Sequence, residues 1–338
     1  MDEKGQFKEI LCMNNIKGVL SLYEASYLST KDESIMDMAQ KFSIHNMKKY
    51  LKQKMDDHDK NNILVKQVSH ALEMPLHWKV QRLEARWFID NVYEQSECFN
   101  PILLQLAKLD FNMLQAIYLD ELKQLSSLAY DILKEQAINI LSFLRKSWIE
   151  LFKTYLMDAK WYYEYDNKYT PSFKEFLDHG WVSIGGPLVI KLFYICTMNN
   201  PIKKDDLELL EQNPPLIQLP SLIGRLEDDL ATSPDEIKRG DAPKSIQCYM
   251  METKSSEENA RDYMKELIGQ TWKKMNKEVV MDNTTSFSKD FVRIAMNFAR
   301  GAQHNACTNT GIGMVNQTGR LRGAYYQYFL NQFLFDKF

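Results

Sequence analysis

What most constrains the fold of this chain is a hydrophobic pattern that keeps a three-to-four-residue period almost from end to end and alternates almost nowhere. Apolar residues at that period share one face of a helix, whereas a half-buried strand needs period two. Residues 18–28 carry Val19, Leu20, Leu22, Tyr23 and Tyr27 at helical spacing, and 35–55 continue with Met38, Phe42, Met47 and Leu51. The polar run from Met55 to Asn62 reads as a loop. A short segment from His70 ends at Pro75, and 78–93 reads as a long amphipathic helix. So does 101–126, through Leu106, Leu109, Met113 and Ile117, with Pro101 in its first turn. Residues 128–163 are periodic again, and Thr170-Pro171-Ser172-Phe173-Lys174-Glu175 marks a helix start. Gly185-Gly186-Pro187 interrupts the pattern, while Asn199-Asn200-Pro201 and Asn213-Pro214-Pro215 each end a helix. Residues 216–230 then lead straight into an acidic run. The expected fold class is all-α, with no repeat of fixed period.

Composition narrows the function classes. With 338 residues and 45% hydrophobic side chains, the chain can bury one large core or two moderate ones. Its 42 basic and 45 acidic side chains nearly balance, which argues against a nucleic-acid footprint. Cys12, Cys98, Cys196, Cys248 and Cys307 lie far apart, without a Cys-x-x-Cys pair, so neither a zinc knuckle nor a disulfide framework is indicated. The apolar stretch from Gly185 to Thr197 contains Lys191 and is too short to span a bilayer. The first ten residues are too acidic for a transit segment and lack a signal peptide, so a cytoplasmic location is expected. Trp87, Trp148, Trp161 and Trp181 are expected mostly in the core or at a domain interface.

The acidic run is Asp228-Asp229-Leu230-Ala231-Thr232-Ser233-Pro234-Asp235-Glu236. Asp228, Thr232 and Glu236 stand at steps of four, which on a helix stacks three oxygen ligands one turn apart. Such a set suits a hard cation, magnesium or manganese rather than zinc. Arg225 and Lys244 are near enough in sequence to reach an anion held by that cation. A plainer reading competes: Ser233 caps a new helix, Pro234 takes its first position and Glu236 closes a capping box. Arg225 could likewise contact phosphate or pair locally with Asp229, and Lys244 alone reads as a surface lysine. His304 reads as a structural histidine near a helix end.

Several longer stretches make the chain resemble the plant terpene synthases. They are Arg225 to Thr232 with Glu236, Ile237 to Met250, Leu83 to Ile89, Lys108 to Gln115, and Thr271 to Asn276. The resemblance covers most of the chain. It implies the class I isoprenoid synthase helical fold, with a remnant N-terminal helical domain over 1–75 and a metal-binding domain over 76–338. In that family magnesium helps to ionise a prenyl diphosphate, and ring faces in an aromatic pocket steady the cation that results. Carried over, Asp228, Thr232 and Glu236 hold one Mg2+ or Mn2+, and Arg225 and Lys244 hold diphosphate oxygens. The implied substrate is a prenyl diphosphate, with geranyl diphosphate favoured. A monomer is expected, without nucleic-acid or membrane partners, and a plastid location belongs to a full-length relative.

The chain also departs from the family. No Asp-Asp-x-x-Asp run is present: Asp56-Asp57-His58-Asp59 has the wrong spacing, and Asp205-Asp206 is followed by Leu207, Glu208 and Leu209. The segment that carries this motif and an arginine pair in a complete member is missing, with the join near Ser126 to Leu128. The chain begins partway through the N-terminal domain. Near its end, Cys307 stands where the family has Tyr, and Gly311 is followed by Ile312 rather than Asp. Missing helices should leave an open cleft with bare apolar faces. Two function classes remain: an enzyme by ancestry, and a catalytically inactive paralogue or helical interaction protein.

Overall fold

The computed structural model describes residues 15–56, 62–116, 140–165, 169–197, 202, 204–239, 242–281 and 288–311. Among these residues every regular element is helical and none is a strand. The join near Ser126 and the loop residues 57–61 lie outside the described residues. Contacts divide the chain into two compact units, Met1–Ile117 and Tyr118–Phe338. The sequence boundary at 75/76 falls within the first unit, because the turn at Ile89–Tyr93 packs against the helix before Pro75.

The first unit holds α1 (Ile16–Ser26), α2 (Ser34–Asp56), α3 (Ile63–Glu73), α4 (Gln81–Phe88) and α5 (101–116). Asn15 starts α1 by accepting the Gly18 N–H, and Asn62 starts α3 in the same way through the Leu64 N–H. Their apolar faces meet in a core of Ile16, Val19, Tyr23, Met47, Val68 and Ala71. The buried Tyr23 hydroxyl donates to the Ala71 carbonyl at 2.8 Å, tying α1 to α3. The long helix expected over 78–93 is instead a 3-10 turn at Leu76–Trp78, then α4, then a π-helical turn at Ile89–Tyr93. Pro75, extended at the head of that turn, breaks the helix before it.

The second unit holds α6 (Ile140–Tyr165), α7 (Phe173–Ser183), α8 (Gly186–Thr197), α9 (Lys204–Glu211), α10 (Pro215–Arg239), α11 (Ser245–Thr253), α12 (Glu257–Met281) and α13 (Lys289–Gly311). The start read at Ser172 is a full capping box with Glu175. Gly185 takes φ 82, a conformation open to glycine, and so turns the chain between α7 and α8. The hub is α10, which packs against α7, α8, α11, α12 and α13. No described helix is long and apolar enough to cross a membrane.

One helix is covered on a single stripe only. Phe143, Ser147, Leu151 and Trp161 of α6 are buried, while Trp148, Phe152, Tyr155, Leu156 and Tyr162 are exposed. Trp148 is therefore not a core residue as its type suggested; it stacks on Phe152 at the surface. The other three tryptophans named above are buried or half-buried.

Candidate metal and diphosphate site

Asn213, at φ 49, turns the chain out of α9, and Pro215 takes the first position of α10, where its missing N–H costs nothing. From there α10 runs without interruption to Arg239, with Pro220 and Pro234 inside it. The helix start expected at Ser233-Pro234 is thus absent. Ser233 is fully buried, and its hydroxyl accepts from the Arg261 guanidinium of α12 at 2.7 Å instead of capping a helix. The result places Asp228, Thr232 and Glu236 on successive turns of one helix.

Arg225 organises the charges. Its side chain is buried against Gly180 of α7, where an added Cβ would stand 3.1 Å from the arginine Cγ. Its Nη2 donates to Asp228 Oδ2 at 2.6 Å and to Asp229 Oδ1. The local pair that the sequence allowed is formed. Burial opposes the guanidinium charge, but Asp229 and Asp228 more than offset it and hold its pKa above the ordinary value. Asp229 is fully buried, and its second oxygen accepts the Ser245 N–H at 3.2 Å, which fixes the start of α11 beside α10. Lys244 precedes that start, half-buried, its N–H bonded to Gln247 Oε1 at 3.1 Å.

Burial raises the pKa of Asp228, with Arg225 as the chief opposing charge. Burial also raises Glu236, opposed chiefly by Lys244. Asp228, Glu236, Arg225 and Lys244 therefore share one electrostatic environment. Thr232 Oγ1 donates to the Asp228 carbonyl at 2.8 Å, so only its lone pairs remain to bind a ligand. Glu236 Oε2 is buried and has no hydrogen-bond partner. Among the described residues, no three His, Cys, Asp or Glu side chains form a metal cage by themselves. The motif offers two carboxylates and a hydroxyl. Its oxygen donors and the orphaned Glu236 oxygen nonetheless fit a hard divalent cation.

Of the other acidic pairs, Asp205 and Asp206 lie in the first turn of α9. His304 sits half-buried on α13, and burial lowers its pKa. Sequence reasoning undervalued two residues. The pair of Asp229 with Arg225 was open to the spacing of four, but its full burial was not. Arg261 carried no signal, because its role depends on α12 packing beside α10.

An all-α unit built around one central helix, with Asp228, Thr232 and Glu236 aligned on that helix, is consistent with the class the sequence resembles, the helical isoprenoid synthase fold. Residues 105–274 match the metal binding domain of the terpene synthase family, and residues 1–72 match the terpene synthase N-terminal domain. The chain is 38% identical to a (-)-alpha-terpineol synthase of Vitis vinifera, with 89% of this chain and 66% of that protein covered. It is 36% identical to a chloroplastic myrcene synthase of Quercus ilex, with 94% and 67% covered. The Vitis match runs over 401 residues, more than the 338 of this chain, so relatives carry internal residues without a counterpart here. Grey poplar isoprene synthase, solved with three Mg2+ ions and dimethylallyl-S-thiolodiphosphate, superposes with a TM-score of 0.81 at 30% identity. That match covers 98% of this chain and 79% of the poplar chain. The chain belongs to the terpene synthase family, and it spans about two thirds of the length of the curated relatives it matches.

Proposed function

We propose that α10 and Lys244 form one wall of a site for a divalent cation and a diphosphate, and that the chain binds a small prenyl diphosphate with very low turnover. The observation that carries this reading is the buried, unpartnered Glu236 Oε2, one turn beyond Thr232 and two beyond Asp228. Asp228, Thr232 and Glu236 hold Mg2+ or Mn2+. When bound, the cation neutralises charge on a departing diphosphate. Arg225 and Lys244 stabilise diphosphate oxygens as that charge develops. Arg225 can do so because Asp229 already fixes its guanidinium, which saves reorganisation. Geranyl diphosphate is favoured, in line with a relative of Humulus lupulus that is named a probable monoterpene synthase. The cytoplasmic location and monomeric state belong to the same proposal.

Low turnover follows from the absent Asp-Asp-x-x-Asp run, since a single wall cannot enclose a diphosphate between two sets of ligands. The test is to incubate the purified chain with magnesium and dimethylallyl, geranyl or farnesyl diphosphate. No hydrocarbon above the Asp228→Ala control is expected; robust, Asp228-dependent product would contradict the low-turnover reading. The apolar face of α6 favours a second reading, a helical interaction protein. A complex with a full-length relative at fixed stoichiometry, without turnover, would support it.

A further inference from the structure

A proline inside a helix leaves the carbonyl four residues earlier without its N–H donor and tends to kink the helix there. In α10 the residue is Pro234, and the carbonyl it leaves is that of Leu230. This break falls between Thr232 and Glu236, the second and third members of the motif. A kink at that point would swing Glu236 away from the other two.

The structure supplies a replacement donor from another helix. Arg261 of α12 donates through Nη1 to the Leu230 carbonyl at 2.9 Å and through Nη2 to Ser233 Oγ at 2.7 Å. Its Nε donates to Glu257 Oε1 at 2.9 Å, so the guanidinium is held on its third side as well. The planar fork thus holds the Leu230 carbonyl and the Ser233 hydroxyl within the turn that the proline weakens.

We propose that Arg261 is a positioning residue: it stands in for the amide that Pro234 lacks and keeps α10 straight, so that Glu236 stays aligned with Asp228 and Thr232. Its effect on cation binding rests on the cation site proposed above; its effect on the helix does not.

The experiment compares the full chain with Arg261→Met, Arg261→Lys, Pro234→Ala, Asp228→Ala and the double variant Pro234→Ala/Arg261→Met. Manganese with inorganic diphosphate is titrated and free Mn2+ is read by electron paramagnetic resonance. Backbone amide exchange is followed over residues 235–239. Arg261→Met is expected to weaken manganese binding about tenfold and to speed exchange in that turn. Arg261→Lys, which keeps a donor for Leu230, should lose less. Pro234→Ala restores the helix amide, so the double variant should bind manganese and exchange as Pro234→Ala alone does. Equal loss from Arg261→Met in both backgrounds, or none in either, would overturn the proposal. If the unchanged chain binds manganese no better than Asp228→Ala, the cation site fails, while the exchange pattern still decides whether Arg261 braces the helix.

Discussion

Asp229 is enclosed, and both of its oxygens are used, one on Arg225 and one on the Ser245 N–H. Removing it leaves a buried guanidinium bonded to Asp228 alone of the two carboxylates and frees the start of α11. Asp229→Ala should therefore cost about 3–5 kcal/mol in chemical denaturation; a loss below about 1 kcal/mol would contradict the pairing. Its neighbour Glu227 poses a different problem. Burial lifts its pKa to about 7 against an opposing hydrogen bond from Gln303, which itself accepts from Trp272 Nε1 at 3.0 Å. A raised carboxyl pKa means that the folded chain keeps its proton longer than the unfolded chain. The stability it confers is present below the ordinary value of 4.5 and is lost as pH rises through about 7. Urea midpoints in metal-free buffer should fall between pH 5 and pH 8, by at most about 3 kcal/mol from this group. Glu227→Gln should flatten that slope; an unchanged slope would remove Glu227 as its source. Spacing made Asp228, Thr232 and Glu236 legible as a set. Burial separates Asp229 and Glu227 from ordinary surface acids, and burial depends on packing that spacing does not encode.

Helices were legible where periodicity and punctuation agreed. Ser172 with Glu175, and Gly185 before Gly186-Pro187, start and break helices where the residue types indicate. Ser233-Pro234 misled for a physical reason: the same residues that start a helix can be carried inside one when a neighbouring side chain supplies the missing donor. The segment from Trp78 to Tyr93 misled because α4 is followed by a π-helical turn, whose five-residue bonding leaves the apolar pattern nearly intact. On α6 the pattern marked a helix correctly, but it could not show which apolar stripe stays exposed. Trp148, Phe152, Tyr155, Leu156 and Tyr162 form a continuous exposed run over more than three turns. Such a face should bind an apolar fluorescent dye in the native state. Trp148→Glu combined with Phe152→Glu should lower that signal with little change in the unfolding midpoint. A native chain that does not brighten the dye would show that the face is covered.

For the whole molecule, family membership and a helical fold were within reach of the sequence, because the matching stretches lie on both sides of the motif. Activity was not, since it depends on whether one wall of ligands suffices. The chain keeps the α10 motif and its arginine and lysine but has no Asp-Asp-x-x-Asp run to face them. Burial raises the pKa of both Asp228 and Glu236, so protons compete with a cation there and affinity should weaken as pH falls. The most direct measurement is calorimetric titration of magnesium with inorganic diphosphate into the whole chain, beside Asp228→Ala and Glu236→Gln. Saturable binding by the unchanged chain, lost in Asp228→Ala and weakened in Glu236→Gln, is the expected result. Equal heats from all three proteins would contradict the assignment of α10 as a cation site.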